Sequence, residues 1–393
     1  MNYRELLTNY PIIRKLSLLQ FVAYFGSWFS NVAIYTMAVN FGSSAFVISL
    51  VTAMHLLPAV LIGPFSGAII DRVRVKTLML ILLLTELVTT LLFLTIDSKD
   101  ELWILMILIF IRMGCSSMFF ATEMTLLPKL VRGQALQKAN EIHSIIWSFT
   151  YAAGMALSGV VVHSLGIKIS IIIDAVFFIV AIMIFFSIEF KVEIIHTKEK
   201  IVSMIKDGFL YLKNNKLVLH LILFHSSVGL TSFDTLVTLL AKNEYKYVIA
   251  VPLSIGITNA VRAFALMIGP LLITSRVNKD TLVYLFIFQG AAIILWSFLQ
   301  FNFYYALIAM FFTGLMTTTI WSYTYALIQE NVEEKYLGRV ISYNDMIFMI
   351  SNVLTTMFIG IAAGFISLQL ITAIIGFGFF IFAFYFNWLK KFL

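Results

Sequence analysis

The sequence predicts an all-α membrane protein with twelve transmembrane helices arranged in two six-helix bundles. Hydrophobic residues make up 61% of the 393 residues and charged residues only 12%, and the mean hydropathy is +0.97. These values lie far outside the range of soluble domains. Apolar runs of about 20 residues, the length that crosses a bilayer, recur along the chain. Because lipid cannot satisfy an unpaired backbone and the runs are too long for barrel strands, each run is predicted to be a helix.

A polar segment near the middle of the chain divides the twelve predicted spans into six and six. The spans are approximately 14–41, 45–70, 77–96, 102–128, 139–162, 169–189, 217–240, 248–274, 281–299, 303–328, 341–364 and 368–389. We therefore predict an N-terminal bundle at 1–189, a cytoplasmic linker at 190–216 and a C-terminal bundle at 217–393. Within the linker, apolar residues recur at helical spacing among lysines: Ile201, Met204, Ile205, Phe209 and Leu212. This pattern predicts either an amphipathic helix on the inner membrane surface or a solvated linker with a helical stretch.

Basic residues are concentrated on one side of the predicted membrane. Most of the 27 Lys and Arg residues fall in segments that share a side with both termini. The positive-inside rule places that side in the cytoplasm. The net charge of +7 is therefore a topological signal and does not indicate nucleic-acid binding.

The chain offers no motif for catalysis, nucleotide binding or a metal site. It has no phosphate-binding loop, no nucleophile-elbow pattern and no soluble domain large enough for a nucleotide. The single cysteine, Cys115, and six scattered histidines give no metal-ligand spacing. Among these histidines, His143 in span five could titrate near neutral pH. We expect no enzymatic activity and no cofactor, so any transport must be driven by an ion or substrate gradient.

Two features of the first half recur about 200 residues later. The pair Gly63–Pro64 returns as Gly269–Pro270, each before a short basic loop, and the segment ANE at 139–141 is echoed by YND at 343–345. Together with the six-plus-six topology, these echoes favour a parallel repeat about an axis normal to the membrane. Such repeats place a binding site between the halves at mid-membrane.

The loop after the second span carries the most specific signature in the chain. The segment GAIIDRVRVK resembles the G-x-x-x-D-R-x-x-[RK] loop of the major facilitator superfamily at Gly67, Asp71, Arg72 and Lys76. The resemblance implies the major facilitator fold. An acid beside a helix end and neighbouring bases can form a reversible latch between two domains that rock against each other. We therefore expect a cytoplasmic gate at this loop.

A second resemblance narrows the family to one branch. The start of the fifth span is similar to that of macrolide, enterobactin and nickel-resistance exporters at Pro128, Leu130, Val131, Leu136, Ala139 and Asn140. This likeness implies export across a bacterial cytoplasmic membrane. However, Ser27 stands where many relatives carry an acid in the first span, so proton coupling cannot be transferred from that motif.

Ionisable residues inside the spans are the first candidates for transport chemistry, because charge at mid-membrane is costly. Arg112 and Arg262 lie near the middle of spans four and eight, and Glu123 follows Arg112 by about three helical turns on nearly the same face. We expect Arg112 and Arg262 to line the substrate cavity and Glu123 to carry a proton. The alternative is that Arg112 and Glu123 form an internal structural pair.

Three further acids occupy spans in the two halves. Asp234 in span seven is a candidate for proton coupling, or for a structural salt bridge with Arg262. We expect Glu86 in span three to support packing through interhelical hydrogen bonds. We expect Asp174, near the outer end of span six, to snorkel towards water or to cap a helix.

A polar stripe runs along the first span, at spacings of three and four residues. Its members are Gln20, Tyr24, Ser27, Asn31 and Tyr35. Such a face suits either a water-filled cavity that binds an amphipathic organic ligand or hydrogen bonding between helices.

Taken together, the sequence predicts a monomeric secondary exporter of a small amphipathic organic compound, with protons, the substrate and the lipid bilayer as partners. Multidrug or antibiotic efflux by proton antiport is the first hypothesis. Export of a siderophore or other metallophore is the second, because two mid-membrane arginines favour a carboxylate-bearing substrate. A non-transporting membrane sensor on the same scaffold is the third.

Overall fold

The chain is built from α-helices joined by short loops. A computed structural model describes residues 2–70, 72–189, 201–273 and 277–393, apart from the side chains of residues 64, 67, 68, 201–205 and 334. These ranges contain no β-strand. The helices are α1 (Tyr3–Asn9), α2 (Pro11–Asn40), α3 (Ala45–Ile70), α4 (Val75–Leu92), α5 (Leu102–Leu130), α6 (Gln134–Leu165), α7 (Ile167–Phe186), α8 (Ile201–Asn214), α9 (Lys216–Ser226), α10 (Asp234–Asn243), α11 (Val251–Ile273), α12 (Lys279–Leu299), α13 (Phe303–Leu315), α14 (Thr317–Glu330), α15 (Leu337–Ala362) and α16 (Leu368–Leu389).

Eleven helical segments of the described chain are long and apolar enough to cross a membrane. Two of them are broken: α9 and α10 are joined by a 3-10 turn at Ser227–Thr231, and α13 and α14 meet at Met316. Helix α2 is not among the eleven. Its 30 residues are enough to cross a membrane, but its polar stripe lowers its mean hydropathy. The predicted all-α membrane fold is confirmed.

Along the chain, α8 separates a first group of helices, α2–α7, from a second group, α9–α16. The most extensive contacts between these groups are those of α6 with α11 and of α3 with α15. Within the first group, α2 packs between α6 and α7, and α5 packs between α3 and α4. Within the second, α12 packs against α13 and α16. The division into two domains at the linker stays a prediction.

The two groups are packed tightly at one end of the bundle, where α2 meets α3 and α10 meets α11. There a Cβ atom added to Gly256 would lie 2.6 Å from the carbonyl oxygen of Met155 and 2.9 Å from the Cα of Gly159. At the second contact, Gly360 of α15 lies against Ser49 of α3. Because neither glycine carries a Cβ, the backbones of the two groups approach closely here.

Helix α8 lies at the other end of the bundle. We name this end the linker end and the packed one the opposite end. The buried residues of α6 fall mostly between Thr150 and Val162, whereas Ile145 and Phe149, nearer the linker end, are about half exposed. On α3, Leu61 and Phe65 are also about half exposed. The close backbone contacts at Gly256 and Gly360 therefore lie at the opposite end.

The linker contains the predicted helix, α8, which contacts α15. Asp207 forms an ion pair with Arg339 at 3.3 Å, and Gly208 lies against the side chains of Arg339 and Tyr343. Of the apolar residues that predicted this helix, Phe209 is exposed and Leu212 is buried. The side chains of Ile201, Met204 and Ile205 lie outside the described part of the chain.

Candidate functional site

A buried cluster of polar side chains joins α2, α5 and α6 in the first group. The hydroxyl of Tyr24 donates a hydrogen bond to Oε2 of Glu123 at 2.9 Å, and Nε2 of His143 lies 3.5 Å from the same oxygen. The amide of Gln20 donates to the backbone carbonyl of His143 at 3.2 Å. We call these four residues the acid–histidine cluster. All four are less than 10% exposed, so the carboxyl group depends on its protein neighbours for stabilisation.

The acid–histidine cluster lies beside a small cavity near the linker end. The cavity has a volume of about 10 Å³ and is lined by Leu16, Ser17, Gln20, Glu123, Leu127, Ala139 and His143. This volume is at the lower limit for one water molecule. A titratable acid, an imidazole and room for a water give this place the parts needed to take up and release a proton.

A second cluster joins the two groups of helices. Tyr35 of α2 and Tyr151 of α6 both interact electrostatically with Asp234 of α10. Arg262 of α11 interacts electrostatically with both Asp234 and Tyr151. We call these four residues the interface cluster. Since two members come from each group, any motion of one group against the other changes their contacts.

The break between α9 and α10 shapes the interface cluster. The 3-10 turn leaves the Thr231 carbonyl free of helical bonding, and Arg262 Nη2 donates to it at 2.5 Å. The guanidinium also lies over the ring of Phe233, with the Cζ atom 5.1 Å from the ring centroid. In the described part of the chain, Asp234 and Arg262 form no direct ion pair, so the predicted structural salt bridge between them is not formed. Broken helices of this kind line the substrate sites of transporters.

Several buried polar atoms around the interface cluster have no hydrogen-bond partner in the described chain. They include both amide atoms of Asn259, the Nε of Arg262 and the Nε1 of Trp28, whose indole lies 4.5 Å from the ring of Tyr151. Asn259 is 1% exposed and precedes Arg262 by one helical turn. Because unpaired buried polar groups are unfavourable, these atoms have unused capacity to bind a ligand or water.

Arg112 belongs to neither cluster, and its partner is Asp174 and not the Glu123 that the sequence suggested. Its Nη2 atom lies 2.6 Å from Oδ2 of Asp174, with side-chain exposures of 2% and 0%. Ser30 donates a hydrogen bond to the same carboxyl oxygen, and the guanidinium lies over the rings of Phe93 and Phe178. Arg112 is thus neutralised inside the first group and does not pair with Glu123, and its proposed place in the cavity wall loses support. The prediction that Asp174 snorkels or caps a helix is wrong.

The remaining predicted residues are placed as follows. Glu86 is 3% exposed, and in the described part of the chain its carboxyl group makes none of the interhelical hydrogen bonds that we expected. Ser27 donates to the Ala23 carbonyl of its own helix at 3.0 Å. Asn31 is buried, at 9% exposure. The polar stripe of α2 is therefore divided, with Gln20 and Tyr24 in one cluster and Tyr35 in the other.

The predicted gate loop lies between α3 and α4, at the linker end. Asp71 is outside the described residues, as is the side chain of Gly67. The amide of Arg72 donates to the Ile69 carbonyl at 3.1 Å, and Lys76 is exposed in the first turn of α4. The latch stays a prediction.

Sequence reasoning missed three residues of these clusters. It gave Asp174 no role with Arg112, did not consider Tyr151, and did not consider Asn259. A signal was available for Asp174, because a mid-membrane arginine needs an acid at similar depth. Tyr151 and Asn259 had no comparable signal, since their importance depends on which helix faces which.

Comparisons with known proteins agree with this architecture. Residues 16–306 match the Major Facilitator Superfamily, and the chain belongs to this family of membrane transporters. A curated relative, the uncharacterized MFS-type transporter YfiS of Bacillus subtilis (strain 168), is 28% identical over 222 residues, which cover 55% of this chain and 52% of that protein. The chain thus matches about half the length of this relative.

Solved transporter structures share the fold at low sequence identity. The nucleoside transporter NupG superposes with a TM-score of 0.73 at 15% identity, covering 97% of this chain and 99% of that one. A bacterial homologue of the human lysosomal transporter Spinster, in an inward-facing and occupied conformation, gives 0.73 at 12% identity, with coverage of 100% and 97%. The POT family transporter PepTSo gives 0.75 at 10% identity, with coverage of 97% and 98%. At such identities these likenesses show the fold alone.

Proposed function

We propose that this transporter exports a small amphipathic organic compound across the bacterial cytoplasmic membrane in exchange for protons, with both termini in the cytoplasm. The acid–histidine cluster carries the proposal. It holds a buried carboxyl group that accepts a hydrogen bond from Tyr24 and lies 3.5 Å from Nε2 of His143. It also lies beside a cavity near the linker end, where a proton can be released.

The interface cluster is the proposed substrate site. It contains two tyrosines, an acid and a base drawn from both groups of helices, and the ring of Trp28 lies 4.5 Å from that of Tyr151 at a tilted angle. Aromatic faces and a few polar groups suit an amphipathic ligand. Because the cluster spans the interface, a bound substrate would affect the relative position of the groups, which is the requirement for alternating access.

Drug or antibiotic efflux is the first candidate, and export of a metallophore is the second. The argument for a carboxylate-bearing substrate rested on two arginines, and Arg112 is already neutralised by Asp174. Arg262 still favours the second candidate, because its Nε has no hydrogen-bond partner in the described chain. The resemblance to exporters at the start of span five supports the outward direction.

The test uses inside-out proteoliposomes with an internal pH dye, challenged with tetraphenylphosphonium, erythromycin or a citrate-type siderophore. Proton release with the cation or the macrolide would support drug efflux, and release with the siderophore alone would support the second candidate. Absence of substrate-dependent proton movement with all three would refute proton-coupled export of these classes.

A Glu123→Gln variant tests the coupling residue. The amide keeps the size of the side chain but cannot exchange a proton, so we expect substrate binding without proton release. Glu330→Gln, at an exposed acid near the linker end, is the matched control and should behave as wild type. Unchanged proton release by Glu123→Gln would remove Glu123 from the mechanism.

A further inference from the structure

Glu86 is a buried acid to which neither proposed site gives a role. It lies on the face of α4 that packs against α5 and α7, and its side chain is nearly inaccessible, at 3% exposure. In the described part of the chain its carboxyl group makes no hydrogen bond and no ion pair. An unpaired carboxylate is costly in such surroundings, which favours the protonated form. A mid-membrane acid of this kind is a functional candidate.

The groups that interact electrostatically with Glu86 come from every helix that packs around it. They are Tyr24 of α2, Arg112, Cys115 and Glu123 of α5, and Asp174 of α7. Glu86 thus lies between the acid–histidine cluster on one side and the Arg112–Asp174 ion pair on the other. It is the one acid in this set without a bonded partner in the described chain.

Asp174 and Glu123 lie at different depths in the membrane. Asp174 binds Arg112, and Arg112 lies eleven residues before Glu123 on α5, a distance of about 16 Å along the helix. Cys115, which also interacts electrostatically with Glu86, lies between Arg112 and Glu123 on the same helix. Glu86 therefore lies beside the stretch of α5 that separates the two acids.

We propose that Glu86 is the intermediate proton carrier between Asp174 and Glu123, so that protons cross the first group of helices on a path separate from the substrate site. The proposal rests on proton-coupled export, and it names a path for that coupling. Among membrane acids, chains of this kind mark proton relays.

Each cycle moves one proton from the opposite end to the linker end, and no other bond is made or broken. Protonated Glu86 gives its proton to the Glu123 carboxylate, and the Glu86 carboxylate that remains is stabilised by the guanidinium of Arg112. Asp174 takes a proton from the opposite end, which weakens its bond to Arg112, and passes that proton to Glu86. Glu123 then releases its proton at the linker end. Because Glu86 touches neither acid directly, each transfer requires an intervening water molecule.

The test compares Glu86→Gln and Glu86→Asp with wild type in the proteoliposome assay, using whichever of the three compounds gives the wild-type response. We expect Glu86→Gln to lower substrate-dependent proton release at least tenfold while equilibrium binding of that compound is unchanged. Glu86→Asp keeps an acid one methylene shorter, so we expect slower proton release with the same binding and a changed pH profile. Glu330→Gln is again the control.

The outcomes separate this proposal from the one on which it rests. Wild-type rates in both variants would overturn the role of Glu86 and leave Glu123-dependent export intact. Loss of binding together with transport in both variants would make Glu86 a structural residue and would also overturn the proposal. A wild-type protein that moves no protons would refute proton-coupled export itself.

Infrared difference spectroscopy supplies an independent readout. A pH step on the wild-type protein should change a protonated-carboxyl band that disappears in Glu86→Gln. An identical spectrum in the variant would mean that Glu86 does not exchange its proton, and would contradict the relay.

Discussion

The buried ion pair between Arg112 and Asp174 gives the sharpest stability prediction. Asp174→Asn removes the acid that lies 2.6 Å from the guanidinium, and it leaves a cation enclosed by Phe93 and Phe178. The Nε of Arg112 already lacks a hydrogen-bond partner in the described chain. Breaking one partner of a buried pair costs about 3–5 kcal/mol. We therefore expect a midpoint of thermal unfolding lowered on the order of 10 °C.

The single cysteine allows thermal unfolding to be followed next to the Arg112–Asp174 ion pair. Cys115 lies three residues after Arg112 on α5 and is partly buried, so a thiol-reactive dye reports unfolding at the site itself. The purified protein in detergent is heated with the dye for wild type and each variant. As a control, Asp97→Asn breaks the exposed pair with Lys168, 2.8 Å apart, and should cost less than about 1 kcal/mol.

A double variant separates an unpaired charge from a general packing defect. Replacing Arg112 by Met together with Asp174→Asn removes both charges, so most of the lost stability should return. A midpoint for Asp174→Asn that equals that of Asp97→Asn would refute the reasoning. A double variant no more stable than the single one would show that the loss comes from packing and not from the stranded charge.

Three further predictions concern transport. Asp71→Asn should reduce transport without reducing membrane insertion, since we expect this acid to latch the cytoplasmic gate; wild-type transport by a well-inserted variant would exclude the latch. Gly256→Val places methyl groups against the Met155 carbonyl, 2.6 Å from a Cβ at this position, and should destabilise the contact between α6 and α11 at the opposite end by about 1–3 kcal/mol. Spin-label distances across that end should increase, whereas Gly63→Val, where a Cβ meets nothing within 4 Å, should leave them unchanged. Tyr35→Phe removes one hydroxyl from the interface cluster and should weaken substrate binding without altering the number of protons exchanged per substrate; equal affinity would place the substrate elsewhere.

The membrane class and the helical fold could be predicted because they depend on local properties. A run of about 20 apolar residues is helical in lipid whatever its neighbours are. The polar stripe on α2 was also a local signal, since residues three and four apart share a helix face. The sequence likewise identified Glu123, Asp234 and Arg262 as candidates, because an ionisable residue inside an apolar run is conspicuous without knowledge of its surroundings.

The partners of these residues were decided by the tertiary structure. Arg112 pairs with Asp174, 62 residues away, and not with Glu123 on its own helix, where the spacing had suggested a shared face. Glu123 binds Tyr24, 99 residues away. Periodicity along one helix gives the angle of a side chain, but the neighbour at that angle depends on how the helices pack. For that reason the sequence by itself determined which residues carry charge in the membrane, and only the packing of helices from both groups decided which charges are neutralised and which are left for transport.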